Sequence, residues 1–154
     1  MIIFDIEASG LSNESYPIEI AWQDSDNPKD FDSFLIKPAE TWSHWDNVAE
    51  KHVHHITREV LFDSGVTAKD ACERLNEKLL GRMIYSDAIT YDQKWIYKLF
   101  FDSCIIPNFR LGSIYDVIDS RSLELLERSI ENEYVAHRAL SDVQQIIRML
   151  NEEQ

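Results

Sequence analysis

Three strand patterns follow one another at the beginning of the chain, with no helical pattern between them. Residues 1–7 (MIIFDIE) form an apolar run, residues 17–23 and 31–37 give two further strand patterns, and turn-rich polar segments separate all three. Strands joined by short turns rather than by a helix pair in antiparallel fashion. This order predicts an antiparallel meander of three strands.

The remainder of the chain alternates between helical and strand patterns. We predict a helix that begins after Thr67, which is spaced from Asp70 like a capping box, and stops at Gly81. Five elements follow it: a strand at 83–86, a helix at 92–101, a strand at 113–118 and helices at 120–128 and 140–151. Residues 38–56 are too long for a simple connection and are expected to form an irregular, functional loop. Strands first and then alternating helices and strands predict an α/β fold, a mixed sheet flanked by helices.

The length of 154 residues suits one compact domain, and no repeat or linker divides the chain, so we predict a single domain over 1–154. A composition of 44% apolar and 28% charged residues is that of an ordinary globular protein. Met1 leads directly into a strand pattern, and no apolar run approaches the roughly 20 residues of a membrane span. These features predict a cytoplasmic protein that does not cross a membrane.

The net charge opposes one class of function. Fifteen Lys and Arg against 28 Asp and Glu give a formal charge of -13. Proteins normally bind nucleic-acid backbones through clustered cations, and an acidic surface repels phosphates at long range. The charge therefore excludes tight, sequence-independent binding of long duplexes, and a nucleic-acid substrate would have to be held by other means.

Two carboxylates, Asp5 and Glu7, share one face of the first strand because side chains two apart in a strand point the same way. Their strand is otherwise apolar, so the pair is expected to be partly buried, where unpaired like charges are costly. A cation would relieve this repulsion, and oxygen ligands suit Mg²⁺ or Mn²⁺. The alternative is a solvated strand end near the turn at Gly10.

A second candidate cluster lies in residues 136–142 (AHRALSD). His137 and Asp142 are five residues apart and cannot share one face of a regular helix. We therefore expect His137 on the loop or first turn that leads into the helix carrying Asp142. A histidine there can accept a proton near neutral pH while Asp142 binds a metal, although a structural or solvent-facing histidine fits the same pattern.

These residues resemble a known family, the DEDDh-type exonucleases, which are named for four acidic residues and a histidine and include bacterial proofreading exonucleases, oligoribonuclease and ribonuclease T. Residues 5–11 (DIEASGL) resemble the first motif of the family, and residues 18–21 (IEIA) resemble the stretch that follows it. Tyr91 and Asp92 are similar to the second motif, and residues 137–142 match the third. The family's short His-containing segment has its counterpart in 53–57, followed by Leu61.

The resemblance implies a ribonuclease H-like fold and removal of nucleotides from the 3′ ends of single-stranded DNA or RNA with two divalent cations, Mg²⁺ or Mn²⁺. It implies that Asp5 bridges the two cations. Glu7 and Asp142 would complete the shell of the first cation, and Asp92 would support the second. His137 would be the general base that activates the attacking water, and Glu7 would also help to seat the terminal nucleotide.

Further residues are expected to bind the terminal nucleotide. The segment containing Ala8, Ser9 and Leu11 would seat it, and His54 and Tyr91 would stack on bases, with about 1–3 kcal/mol from each stack. Ala8 stands where the family often has Thr, which would loosen the contact with the 3′ end.

The second acidic position has two candidates. Asp87 and Ala88 occupy places where His and Asn are common in the family, so Asp87 is a rival of Asp92. We favour Asp92 because Tyr91 precedes it and the helix pattern follows.

Other interpretations fit parts of the pattern. The enzyme could be similar to oligoribonuclease and act on very short RNAs, which an acidic surface tolerates, or the chain could be a non-catalytic ribonuclease H-like module that binds a partner protein. Trp42 and Trp45 could stack on bases or simply pack against the core. Four histidines at 44, 52, 54 and 55 could bind zinc, but they lack Cys neighbours and a helical spacing. The sequence indicates neither a homodimer nor a particular protein partner, and it does not distinguish DNA from RNA.

Overall fold

The core of the structure is a five-stranded sheet, seen in a computed structural model that describes residues 1–132 and 138–151. Its strands are β1 (Ile2–Ala8), β2 (Pro17–Asp24), β3 (Phe31–Leu35), β4 (Met83–Ser86) and β5 (Arg110–Ser113). They lie in the order β3-β2-β1-β4-β5, in which β1, β2 and β3 are antiparallel and β4 and β5 run parallel to β1. The predicted mixed sheet, with a meander followed by parallel strands, is confirmed.

Helices flank this sheet on both faces. Those in the described residues are α1 (Asn47–Ala49), α2 (Arg58–Ser64), α3 (Ala68–Lys78), α4 (Ile89–Asp102), α5 (Ser120–Asn132) and α6 (Ala139–Asn151). The cap predicted for α3 is present, because the Thr67 hydroxyl accepts from the backbone N–H of Asp70. Within the described part of the chain, no helix has both the length and the apolar character that a bilayer crossing needs.

The two faces of β1 belong to two different cores. Phe4 and Ile6 face the larger core, which includes residues of α3 and α4, whereas Ile3 faces a smaller core built on α5 and α6. Because side chains alternate along a strand, Asp5 and Glu7 share the face of Ile3 and point toward the α6 side. The alternation of β1 therefore places two acidic side chains beside the helix that carries Asp142.

Several local predictions need correction. The strand predicted at 113–118 is wrong: β5 ends at Ser113, whose hydroxyl accepts from the N–H of Tyr115 and caps a 3₁₀ turn at Ile114–Asp116. Residues 38–56 are not wholly irregular, because they contain α1 and a π-helical turn, Glu50–His54. The helix predicted to begin at Asp92 begins three residues earlier, at Ile89.

Candidate active site

Three carboxylates from two elements meet at the centre of the sheet. Asp5 and Glu7 lie on β1, and Asp142 lies in the first turn of α6. One oxygen from each of the three lies within 4.8 Å of the others. Among the described residues, this is the one group of three or more Asp, Glu, His or Cys side chains close enough to share a metal ion. The four histidines at 44, 52, 54 and 55, considered above as an alternative zinc site, do not form such a group.

Asp92 reaches the same cavity from the other side. It is buried in the first turn of α4, and its Oδ2 accepts a hydrogen bond from the Ser86 hydroxyl at the end of β4. The Ser86 oxygen in turn accepts from the backbone N–H of Ala88 at 2.9 Å, just before the helix. This pair of bonds links the end of the strand to the start of the helix, so the orientation of the Asp92 carboxylate is fixed by two elements.

Burial raises the pKa of all four carboxyl groups, and repulsion from neighbouring acids adds to the rise. The pKa of Glu7 is raised to about 8 by burial and then by Asp142, and the pKa of Asp92 is raised to about 8 mainly by burial. Burial and Asp87 raise the pKa of Asp142 to about 6. Burial, followed by the charge of Asp92, raises the pKa of Asp5 well above its usual value. A bound cation would reverse this penalty.

The residues present fit a hard divalent cation. Asp5 Oδ2 is buried and has no hydrogen-bond donor among the described residues, so the folded chain leaves a carboxylate oxygen uncompensated at the centre of the cluster. An ionised group in that condition is costly unless it is paired or coordinates a metal. Carboxylate oxygens alone, without nearby thiols, are ligands that Mg²⁺ and Mn²⁺ accept.

We expect the metal-free protein to lose stability as the pH rises from about 5 to about 8. Unfolded Asp and Glu release their protons near pH 4, whereas the folded chain holds protons on Glu7 and Asp92 up to higher pH, so rising pH favours the unfolded state. Thermal melts in EDTA across this range measure the slope. Millimolar Mn²⁺ should raise the melting temperature, most strongly at the alkaline end, by mass action on the folded state.

The control for this prediction is Asp63→Asn, which removes one charge at an exposed position of α2. It should keep the wild-type slope and the wild-type response to Mn²⁺. Two results together would contradict a cation-binding carboxylate cluster. They are a melting temperature in EDTA that does not fall between pH 5 and 8, and no change of the melting temperature in Mn²⁺.

The carboxylates line a cavity of about 420 Å³, within the range of about 300–1,000 Å³ that is typical of ligand pockets. Most of the residues predicted to bind substrate also line it: Ala8, Leu11, His54 and Tyr91. Leu11 and Tyr91 are exposed at its rim, with 72% and 49% of their surfaces accessible. An acidic floor and an apolar rim could receive a phosphate and a base, respectively.

Ser9, also predicted to bind substrate, does not line this cavity. Its side chain is fully buried, and its hydroxyl oxygen accepts from the N–H of Tyr16 and shares a hydrogen bond with Nδ1 of His44. These bonds hold the turn after β1 to the start of β2 and to the loop that follows β3. The structure therefore gives Ser9 a role in shaping the turn that presents Leu11.

His54 lines the cavity with one ring nitrogen unoccupied. Its Nδ1 accepts from the N–H of Ile56 at 3.0 Å, so the neutral ring carries its proton on Nε2. That Nε2 is buried and has no partner among the described residues. Burial lowers the pKa of His54 to about 4, which keeps the ring neutral at physiological pH. His54 is thus a fixed, uncharged hydrogen-bond donor in the wall of the cavity.

The two tryptophans differ from Tyr91 in their surroundings. Trp42 is 2% exposed, stacks on Tyr16 with ring centroids 5.3 Å apart, and donates from its indole nitrogen to Asp102. Trp45 donates to Glu50 and packs against His54 in a T-shaped arrangement, with ring centroids 5.8 Å apart. Neither lines the cavity, so the packing interpretation of Trp42 and Trp45 applies rather than base stacking.

Two further candidate residues are Asp87 and His137. Asp87 does not line the cavity, but it lies close enough to raise the pKa of Asp5, Asp92 and Asp142 by its charge. His137 lies outside the described residues, so its role as general base stays a prediction.

Sequence reasoning missed the contact of Ser86 with Asp92 and the burial of Glu19 against the start of α6. Ser86 gives no signal of its own in the sequence, because a serine at the end of a strand is common. Glu19 is 2% exposed, which is rare for an acid without a partner. Its position within an apolar strand was the one available signal of an unusual environment.

Comparison with known proteins identifies the fold. Exonuclease I of Methylocaldum szegediense superposes with a TM-score of 0.74 at 19% identity, over 99% of this chain and 40% of that chain. Escherichia coli exonuclease I in a zinc-bound complex with single-stranded DNA gives 0.74 at 16% identity, over 97% and 39%. The same enzyme with a dA16 oligonucleotide gives 0.73 at 17% identity, over 96% and 39%.

No protein-family model and no curated protein sequence matches the chain. At these identities the structural similarity establishes the fold, and the predicted ribonuclease H-like α/β class is confirmed. The chain spans about 40% of the length of the exonuclease I proteins that it matches.

Proposed function

We propose that this chain is a metal-dependent exonuclease that removes nucleotides from the 3′ ends of single-stranded nucleic acid. The observation that carries the proposal is the meeting of Asp5, Glu7 and Asp142 within 4.8 Å in a cavity of a ribonuclease H-like fold. Exonuclease I, which has a similar fold, has been solved in complexes with single-stranded DNA and with dA16. That similarity supports a nuclease, and the carboxylate cluster supports a metal-dependent one.

Asp5, Glu7 and Asp142 would hold one divalent cation, and Asp5 with Asp92 would hold a second on the α4 side of the cavity. When bound, Mg²⁺ or Mn²⁺ ions supply positive charge that stabilises the developing charge on the phosphate and on the leaving oxygen. The hydrogen bond from Ser86 would keep the Asp92 carboxylate in a fixed orientation at the cavity.

Hydrolysis requires a water oxygen to bond to phosphorus while the bond from phosphorus to the 3′ oxygen breaks. His137 would accept the proton of the attacking water on its unprotonated imidazole nitrogen, and the departing 3′ oxygen would take a proton from solvent water. His54 would donate from Nε2 to an oxygen or base atom of the terminal nucleotide, with no change in its own charge. Leu11 and Tyr91 would contact the last base at the rim of the cavity.

The charge of the chain favours contact with only a few nucleotides. Many of its cations are already engaged with acids, such as Arg74 with Asp32 and Arg82 with Asp24, and the net charge of -13 repels a long backbone. A substrate held by metal contacts and by stacking of its terminal base avoids this repulsion. In this proposal the enzyme therefore holds only the last few nucleotides of a single strand, and DNA and RNA are both candidates.

The test is digestion of end-labelled single-stranded DNA, single-stranded RNA and dinucleotides in Mn²⁺, in Mg²⁺ and in EDTA. We expect single nucleotides to be released from the 3′ end with either metal and none to be released in EDTA. Release from dinucleotides alone would favour the oligoribonuclease-like alternative. No release from any substrate, despite Mn²⁺ binding, would favour a non-catalytic module.

The second acidic position can be tested directly. We expect Asp92→Asn to lose most of the activity, about a hundredfold or more, because its carboxylate lies in the cavity and an amide is a poor replacement for an anionic ligand. Asp87→Asn should lose less than about threefold, because Asp87 acts on the other acids only through its charge. Turnover at saturating Mn²⁺ is the measurement, and the reverse ranking would show that Asp87 is the ligand.

A further inference from the structure

Glu19 occupies an unusual position for a carboxylate. It lies on β2, directly opposite Glu7 in the register of the two antiparallel strands, and it is 2% exposed. Burying a charge beside another acid costs free energy unless strong partners compensate for it. The partners of Glu19 come from the start of α6, about 120 residues later in the chain.

Both oxygens of Glu19 are engaged with α6. Oε1 accepts from the backbone N–H of Ala139 at 2.9 Å, and Oε2 accepts from Nε of Arg138 at 2.8 Å. Ala139 is the first residue of α6, and Arg138 precedes it. One side chain of the sheet therefore holds both the residue before the helix and the first amide of the helix.

The sequence of α6 explains why this bond is needed. Helices usually begin at Ser, Thr, Asp or Asn, whose short side chains accept from the unpaired amides of the first turn, but here Arg138 stands at that point and has no acceptor. Glu19 supplies the missing acceptor from another strand. Its negative charge also lies where the positive end of the helix dipole favours an anion.

The same turn carries Asp142. The backbone N–H of Asp142 donates to the carbonyl oxygen of Arg138 at 3.1 Å, so Asp142 is one helical turn from the residues that Glu19 holds. Glu7 and Asp142, which share the carboxylate cluster, come from β1 and α6 respectively. A shift of the start of α6 against the sheet would therefore separate Asp142 from Glu7.

We propose that Glu19 is a positioning residue: by fixing Arg138 and Ala139, it sets the distance of Asp142 from Asp5 and Glu7. The inference rests on the proposed function for its consequence in catalysis, but its consequence for metal binding stands separately. Glu19 does not bind the metal or the substrate. Residues that orient metal ligands typically change metal affinity or activity by about 10–100-fold when they are replaced.

The test measures Mn²⁺ affinity of the full chain by electron paramagnetic resonance, which counts free Mn²⁺ in a titration and needs no substrate. Glu19→Gln keeps the size of the side chain and one acceptor for Ala139, but places an amide N–H₂ against Arg138. We expect its Mn²⁺ affinity to fall about tenfold and its turnover at saturating Mn²⁺ to fall by at least as much, with KM for the oligonucleotide little changed.

A matched control is available in the same sheet. Asp32 of β3 forms a similar carboxylate–guanidinium pair with Arg74 of α3, with Nε donating to Oδ2 at 2.7 Å. It does not line the cavity. Asp32→Asn should lower the melting temperature much as Glu19→Gln does, but leave Mn²⁺ affinity and turnover within about twofold of wild type. Equal losses in both variants would show that Glu19 only stabilises the fold.

A second variant distinguishes the effect of a displaced Asp142 from the effect of the lost Glu19 charge. Loss of the Glu19 charge could by itself weaken cation binding, whereas loss of the Arg138 charge would by itself strengthen it, because a positive group would be removed from beside the cluster. Arg138→Met keeps the aliphatic stem and removes the bond to Glu19. We expect its Mn²⁺ affinity to fall severalfold, and tighter binding would overturn the positioning role.

The positioning role of Glu19 and the proposed nuclease function would be rejected by different results. Wild-type protein that binds Mn²⁺ but releases no nucleotide would reject the nuclease function, and the affinities of the variants would still decide the role of Glu19. Since Arg138 is half-exposed, Arg138→Met also provides the decisive measurement if Glu19→Gln does not fold.

Discussion

Asp5→Asn is expected to abolish hydrolysis and, at the same time, to raise the melting temperature of the metal-free protein. At pH 8 the folded wild type either keeps Asp5 ionised among the other acids or holds a proton that the unfolded chain releases, and both states cost free energy. The amide removes that cost and can donate to a neighbouring carboxylate. Removing an uncompensated buried group is worth about 1–3 kcal/mol, or about 2–10 °C for a domain of this size.

The catalytic loss has a separate cause. Asp5 lies within 4.8 Å of Glu7 and Asp142, and the charge of Asp92 raises its pKa, so it would contact both cations of the proposed site. Metal ions contribute several kcal/mol to a reaction of this kind, and about 1.4 kcal/mol corresponds to tenfold, so turnover should fall by about a thousandfold or more. Initial rates on a labelled oligonucleotide and melting curves in EDTA and in Mn²⁺ measure the two effects together.

Asp63→Asn is again the control, because it changes the net charge equally and should alter neither quantity. An Asp5→Asn variant that melts lower than wild type in EDTA would mean that Asp5 stabilises the apo fold. Near-wild-type turnover would remove Asp5 from the metal site altogether. The Mn²⁺-induced rise in melting temperature should also shrink in this variant, because one shared ligand is lost.

Much of the fold follows from local patterns in the sequence. The apolar run of β1, the capping pattern of α3 and the short strand β4 each depend on neighbours within a few residues, so the sequence is sufficient to predict them. The order of these elements then determines the mixed sheet. The strand at 113–118 was predicted wrongly because a short segment with apolar residues is typical of a buried strand and of a buried 3₁₀ turn alike. Ile114 is buried in the 3₁₀ turn.

The contacts of the site also differ in how well the sequence predicts them. Asp5 and Glu7 can be predicted as neighbours from strand alternation alone, whereas their contact with Asp142 depends on the packing of α6 on β1 and β2. Only the motif resemblance connected residue 142 to residue 5. Neither strand alternation nor the motif resemblance predicted the hydrogen bonds of Ser86 and Glu19. Their partners lie in the first turns of α4 and α6, so these bonds depend on how the two helices pack against the sheet.

Arg138, a partner of Glu19, is the residue after the predicted general base. His137 is outside the described residues, but it is bonded through one peptide link to Arg138, which Glu19 holds beside Glu7. The chain therefore leaves the described region next to the carboxylate cluster. The general-base role of His137 stays a prediction, and it requires a neutral imidazole, which accepts a proton near neutral pH.

His137→Ala is expected to lose about a hundredfold or more in turnover, the usual contribution of a positioned general base, with Mn²⁺ affinity and KM close to wild type. The wild-type rate should rise through the neutral pH range as the imidazole loses its proton and then level off. The variant lacks this base, so its residual rate should continue to climb at higher pH as hydroxide replaces it. Pre-steady-state rates at saturating Mn²⁺ from about pH 6 to about 9 measure both profiles. A variant that binds Mn²⁺ weakly but turns over normally at saturating metal would make His137 a ligand rather than the base.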